Sequence, residues 1–266
     1  MKITVFTSNQ PRHISLATEL ASICDQLYCV QECNTVVPGH REDFYKKTDL
    51  MQDYFNSVMA AERSIFGELD FMPKNISSLA IKSGDLNFLT HSQLEPALNS
   101  DVYVVFGASY IKGWLIEFLV QNRALNIHMG LSPYYRGSSC NFWALYDEKP
   151  NFVGATIHLL TAGLDSGPML YHCLPGSNWR NLFEYTMLSV QSAHSSLVAR
   201  IADHSIYDYE PSAQIKSDEI RYSKNNEFTD DVLINFNARR EAIERILREN
   251  NFADQPELLN TFTINK

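Results

Sequence analysis

Apolar residues recur along the chain in two rhythms, and their alternation sets out the elements. Residues 2–6, K-I-T-V-F, read as a short buried strand. After a polar turn, Leu16, Leu20 and Ile23 repeat at helical spacing within 14–24, and 27–31 read as a second strand. A strand–helix–strand opening predicts an α/β fold whose Rossmann-like, mostly parallel sheet carries flanking helices. Thr48 is a candidate cap for a helix reaching about 66, with Met51, Tyr54, Phe55, Val58 and Met59 on its apolar stripe. A Gly/Pro/Asn/Ser-rich stretch, 67–78, precedes a strand at 79–82. The β-branched and aromatic run D-V-Y-V-V-F at 101–106 predicts an internal strand ending at Gly107. Helix at 110–120, strands at 124–128 and 154–160, and a long helix within 178–201 complete this part.

After about 205 the character changes. Residues 206–266 carry 12 acidic and 8 basic side chains and include a helix from 230 to 250 that Thr229 would cap. The pattern therefore predicts a catalytic-size domain over 1–205 and a small, partly helical extension over 206–266. The whole chain of 266 residues has a formal charge of −9, which disfavours nucleic acid or an anionic membrane as partner. The start lacks the apolar core of a signal peptide, and no apolar run approaches the ~20 residues that span a bilayer, so a cytoplasmic protein is expected. Five cysteines without a C-x-x-C pair indicate neither a disulfide framework nor a zinc site; Cys24, Cys29 and Cys33 read as small buried hydrophobes. The turn after the first strand, residues 7–12, has no glycine, which disfavours a dinucleotide site, and no P-loop is present.

Two segments concentrate chemistry. In Asn126-Ile127-His128 alternate side chains share a face, so an amide and an imidazole project together from a strand that ends in a loop punctuated by Gly130, Pro133 and Gly137. Taken alone, such a triplet is as well explained by a polar strand end satisfying loop backbone. The second segment, 154–169, runs from a strand into a turn where Asp165 stands near two glycines; alone it would be an ordinary structural turn. Taken together, Asn126, His128 and Asp165 could converge on one cleft at the carboxyl ends of strands. There the carboxylate would orient and charge the imidazole, leaving the amide to donate to a developing oxyanion.

The pair N-I-H-x-G-x-x-P-x-x-R-G and T-I-H-x-x-x-x-x-L-D-S-G-P, with Asp165 39 positions after Asn126, resembles the core of the formyltransferases that use 10-formyltetrahydrofolate. The resemblance is sharpest over 101–170 and extends more loosely over 1–205. It implies the formyltransferase fold, a catalytic set of Asn126, His128 and Asp165, and no metal. It also implies a folate site at Ser109, Tyr110 and Ile111 and at Thr161, Gly163 and Leu164. Ser132, Met129 and the missing glycine after the first strand depart from the purine and tRNA branches.

The extension is shorter and more acidic than the RNA-binding domain of methionyl-tRNA relatives. The run Ser132-Pro133-Tyr134-Tyr135-Arg136-Gly137 looks like the branch acting on nucleotide-linked amino sugars, nearest to the nonulosonic (pseudaminic-type) pathway enzymes. That branch implies a substrate wall at Tyr134, Tyr135 and Arg136; for Arg136, pairing with a pyrophosphate and bracing of its own loop stand equal. Phe142 and Trp143 read as core. A homodimer is compatible with the family. The competing expectations are a formyltetrahydrofolate hydrolase, a methionyl-tRNA formyltransferase-like enzyme and a non-catalytic binding protein. The other histidines, His13, His40, His91, His158, His172, His194 and His204, follow no ligand spacing, and His158 is expected to be structural.

Overall fold

The chain's longest stretch of uninterrupted burial at its start, Ile3 to Ser8, belongs to the strand around which everything else is laid. In a computed structural model that describes residues 1–33 and 48–264, this strand, β1 (Lys2–Ser8), pairs in parallel with β2 (Gln26–Cys33) on one side and β4 (Val102–Val105) on the other. Strand β3 (Ile76–Lys82) extends β2, and β5 (Leu125–His128) extends β4, all parallel. Strand β7 (Ala155–Leu159) runs antiparallel to β5. Strand β8 (Met169–Leu174) reverses again and pairs in parallel with β10 (Phe262–Thr263). The sheet order is β10-β8-β7-β5-β4-β1-β2-β3. A separate two-stranded ribbon joins β6 (Tyr135–Gly137) to β9 (Arg221–Ser223).

The helices follow local rules. Pro11 opens α1 (Pro11–Ala21), where a missing N–H costs nothing, and its buried residues His13, Leu16, Ala17, Leu20 and Ala21 keep a helical stripe against the sheet. Thr48 caps α2 (Asp49–Phe66) by accepting from the Met51 amide. Two shorter helices, α3 (His91–Leu94) and α4 (Gly113–Gln121), flank β4, and α5 (Cys140–Tyr146) follows the ribbon strand β6. Helix α6 (Leu182–Ala202) is capped by Asn181 and packs on α1, α2 and β8, buried round most of its circumference. Thr229 caps α7 (Asp230–Glu249), as the sequence predicts.

Residues beyond 205 are woven into the fold. Strand β10 belongs to the main sheet, β9 holds the segment after β5, and Leu233, Phe236, Ile243 and Leu247 of α7 share a buried cluster with Met51 and Ala61 of α2. Cys29 is buried and Cys24 and Cys33 half-buried, all as free thiols. His40 lies outside the described residues. Among the described residues no helix is long and apolar enough to cross a membrane, and no cluster of three His, Cys, Asp or Glu could hold a metal.

Candidate active site

Register places the chemistry. Leu125 lies opposite Val104 and Asn126 opposite Val105, so β5 begins where β4 ends and projects beyond the carboxyl end of β4. On its other side Asn126 faces His158 and His128 faces Thr156. Each polar residue of N-I-H therefore meets one of T-I-H. The Asn126 amide donates from Nδ2 to His158 Nε2 at 2.9 Å, while His158 Nδ1–H donates to the Leu159 carbonyl at 2.9 Å. This pattern needs a neutral His158, and burial supplies it by pushing the ring down to about 4. One Asn126 N–H remains for a ligand. Thr156 donates to the Gly130 carbonyl (2.6 Å) and accepts from the Ser132 amide (2.9 Å), fixing the loop that leaves β5.

His128 is held from both ring nitrogens. Nε2 lies 3.0 Å from the Tyr135 carbonyl and Nδ1 3.4 Å from Asp165 Oδ1. Both partners are acceptors, so the imidazolium satisfies both at once. Burial opposes that charge, but Asp165, with help from the neighbouring Cys140, outweighs it and lifts His128 well above its ordinary value. Burial would likewise raise Asp165, yet His128 draws its pKa below the usual carboxylate range. The result is a buried ion pair at neutral pH.

Two glycines make the approach possible. A Cβ at Gly130 would stand 2.7 Å from His128 Nε2 and 2.6 Å from the Cys140 Cβ; one at Gly167 would stand 1.7 Å from the Leu159 carbonyl oxygen. Asp165 itself takes a left-handed backbone (φ 46), which turns its carboxylate back toward β5. Gln214 of the extension braces this turn by donating to the Asp165 and Gly167 carbonyls, both at 2.8 Å.

Asn126, His128 and Asp165 open on one cavity of about 940 Å³, a size that takes substantial ligands. Its sheet side is Phe106, Gly107 and Ala108 after β4, at the ends of the central strands where open α/β sheets bind ligands. Opposite stand Arg12 of α1, Tyr54 and Phe55 of α2, and Tyr222, Lys224, Asn225 and Phe228 of the extension. The Tyr54 ring lies edge-on to Phe142 and Phe183, and burial pushes its phenol well up.

Other predicted residues are distributed differently. Of the expected folate contacts, Leu164 lines the cavity. Ile111 is buried with Phe6 and Leu115, and Ser109 is occupied by the Glu32 carboxylate. The Tyr110 hydroxyl donates to the Ala162 carbonyl, tying together the two loops that carry Ser109 to Ile111 and Thr161 to Leu164. Thr161 and Gly163 lie within the second loop, where the Thr161 hydroxyl meets Ser166 at 3.2 Å. Of the expected substrate wall, Tyr135 is 1% exposed with its hydroxyl on Asp147, and Tyr134 is pinned to Glu257. Arg136 spans Glu219 (3.0 Å) and the Leu164 carbonyl (2.9 Å), so it braces the Asp165 turn. Phe142 and Trp143 are buried, and Phe142 also faces the cavity. The bond from Asn126 to His158 is a polar contact that the sequence reading left out; the signal for it was the pairing of an N-I-H with a T-I-H triplet on neighbouring strands.

Residues 91–174 match the family model for formyl transferase. The chain is 40% identical over 74 residues to the methionyl-tRNA formyltransferase of Thermosynechococcus vestitus and 33% identical over 73 residues to that of Trichormus variabilis. These stretches are 28% and 27% of this chain, and the match spans 22% of the length of each relative. Among solved structures, a sugar N-formyltransferase from Shewanella sp. superposes with a TM-score of 0.51 at 18% identity, covering 86% of this chain and 78% of that one. A 4-N formyltransferase from Francisella tularensis gives 0.52 at 16%, covering 88% and 86%. An N-formyltransferase from Helicobacter canadensis, in complex with folinic acid and dTDP-3-aminofucose, gives 0.52 at 14%, covering 89% and 79%. The fold is therefore that of the formyltransferases.

Proposed function

We propose that this protein transfers the formyl group of 10-formyltetrahydrofolate to the primary amine of a nucleotide-linked amino sugar. The observation that carries the proposal is the convergence of Asn126, His128 and Asp165 on one cavity, from a segment that matches formyl transferase. The neutral amine attacks the formyl carbon, and the carbonyl oxygen becomes an oxyanion. The free N–H of Asn126 and the His128 imidazolium stabilise that charge. The bond from carbon to the folate nitrogen then breaks, and the proton shed by the amine passes to that nitrogen through water, helped by the Asp165 carboxylate. Asp165 also keeps His128 charged and oriented while both are buried. On this reading the folate lies against Gly107, Ala108 and Leu164, and the acceptor against Arg12, Tyr54, Tyr222 and Lys224. A neighbour of the same fold binds folinic acid and an amino-sugar nucleotide, which supports the assignment.

The acidic composition speaks against a tRNA acceptor, although the curated relatives bear that activity in their names. The experiment is a panel: 10-formyltetrahydrofolate with amino-sugar nucleotides, with methionyl-tRNA, or alone, following tetrahydrofolate release. Release that depends on an amino-sugar nucleotide is the expected result. Release without any amine would make the protein a hydrolase, and release with methionyl-tRNA alone would replace the acceptor class. His128→Ala should lower turnover about 100–10,000-fold and Asn126→Ala about 100–1000-fold. Near-normal turnover in both would sink the assignment.

A further inference from the structure

Glu32 closes β2 with a carboxylate that is 2% exposed. A carboxylate so buried needs donors in place of water, and three surround it. Oε1 accepts from the Gly84 amide at 2.8 Å and from the Ser109 hydroxyl at 2.9 Å; Oε2 accepts from the Ser109 amide. The Glu32 carbonyl also accepts from the Ser8 hydroxyl at 3.0 Å. One residue thus ties together the carboxyl ends of β1, β2, β3 and β4. Two more bonds clamp the next turn of the β4 loop: Asn87 donates to the Tyr110 carbonyl (2.9 Å) and accepts from the Lys112 amide (2.7 Å). The part of the loop just before this anchor, Gly107 and Ala108, lines the cavity beside Asn126 and His128.

We infer that Glu32 is a positioning residue for the folate arm of the site: it fixes Ser109, and through Ser109 the height at which Gly107 and Ala108 meet the ligand. This rests on the folate reading above. The chemistry makes the carboxylate specific. A glutamine has one acceptor oxygen and one donor NH2, so in either orientation a loop N–H faces a second donor and loses its partner. The loop must then shift or open, and a flat ligand recognised by loop backbone is sensitive to such a shift.

The test compares wild type with Glu32→Gln and Ser109→Ala, using folinic acid binding by calorimetry, steady-state kinetics and amide hydrogen exchange. Glu32→Gln should weaken folinic acid and raise KM for the formyl donor about 10-fold or more. Turnover at saturating donor and KM for the amino-sugar nucleotide should stay within about 3-fold, and exchange at 107–110 should quicken. Ser109→Ala removes one hydroxyl donor with little risk to folding and should weaken folinic acid by a few-fold. Unchanged donor affinity in both variants overturns the role, as does an equal rise in KM for both substrates, which would mark a general loss of structure. If Glu32→Gln does not fold, Ser109→Ala decides. Failure of wild type to bind folinic acid would fell the folate reading itself, a result distinct from wild type and variants binding alike.

Discussion

Gly137 is where the extension is fastened to the catalytic loop, and replacing it with alanine has a cost that can be worked out in parts. Its φ of +87 lies in the left-handed region, where a side chain costs about 1–2 kcal/mol. The new Cβ would stand 2.1 Å from the carbonyl oxygen of Ser223, a backbone atom that cannot rotate away. Strand β9 must withdraw by more than an ångström. That breaks the Ser138 amide to Ser223 carbonyl bond (3.0 Å) and the Ser223 hydroxyl to Ser138 carbonyl bond (2.6 Å). At about 1 kcal/mol net for each bond, the total reaches about 3–4 kcal/mol. For a chain of this size a loss of that order lowers Tm by about 6–12 °C. Gly67→Ala is the control, because φ is +80 there but nothing lies within 4 Å of the new Cβ. It should lose only the backbone part, about 1–3 kcal/mol for a residue held at φ 80 and ψ −173. Thermal unfolding followed by circular dichroism compares the two. Tyr222 and Lys224 flank Ser223, so Gly137→Ala should also raise KM for the acceptor more than for the formyl donor. Equal Tm losses for both glycines would refute the claim that the ribbon contact holds the extension.

Three further outcomes follow from the site. His158→Leu removes the acceptor of Asn126, frees its amide to turn, and should lower kcat about 10–100-fold together with about 1–3 kcal/mol of stability; unaltered kcat would show that Asn126 needs no partner. Asp165→Asn removes the charge that outweighs burial at His128, so the ring's pKa should fall from above to below its ordinary 6.5 on NMR titration, with turnover down about 100–1000-fold; a pKa that stays raised would refute the ion pair. Folding stability should peak near neutral pH. His158 and His172, pushed down to about 4, and His194, to about 3, are neutral when folded, so the unfolded chain binds more protons below 6.5 and stability drops as pH falls, by up to about 4 kcal/mol per unit between pH 6 and 4. His128 has the opposite sign: it adds stability that is full below 6.5 and is lost as pH rises through its raised folded pKa. Asp165, lowered, adds stability lost only as pH falls through its own folded pKa. Urea midpoints from pH 4 to 9 that climb steadily toward acid would contradict this assignment.

The central elements were readable because they obey local rules. The K-I-T-V-F strand at 2–6, the D-V-Y-V-V-F strand and the threonine caps at 48 and 229 needed no tertiary context. Strand β8 was missed, since M-L-Y-H-C-L is buried nearly throughout and shows no alternation, and β6, β9 and β10 are too short for any periodic signal. The convergence of Asn126 and His128 followed from the two-residue period of a strand. The cavity's other wall could not be read this way. Arg12, Tyr54 and Lys224 are far apart in sequence, and only the packing of α1, α2 and the extension brings them together. Tyr135 shows the converse: an aromatic beside a catalytic loop fits a platform and a core equally, and burial against Phe152 decided it. Arg136 had two equal readings, and its bond to the Leu164 carbonyl selects the bracing one.

The offset by which β5 starts level with the end of β4 acts as a step in the sheet, and the reversed strand β7 lines its riser. On that step a polar ladder, Asn126 against His158 and His128 against Thr156, stands clear of the apolar layers. Sliding β5 by a single residue would turn Asn126 and His128 into the core and bring Leu125 and Ile127 out in their place. Grafting Asn126, His128 and Asp165 onto another parallel sheet would therefore not carry over their arrangement. The unit of transfer is the step itself: two strands in fixed register, with glycines at 130 and 167 that let the loops close over them.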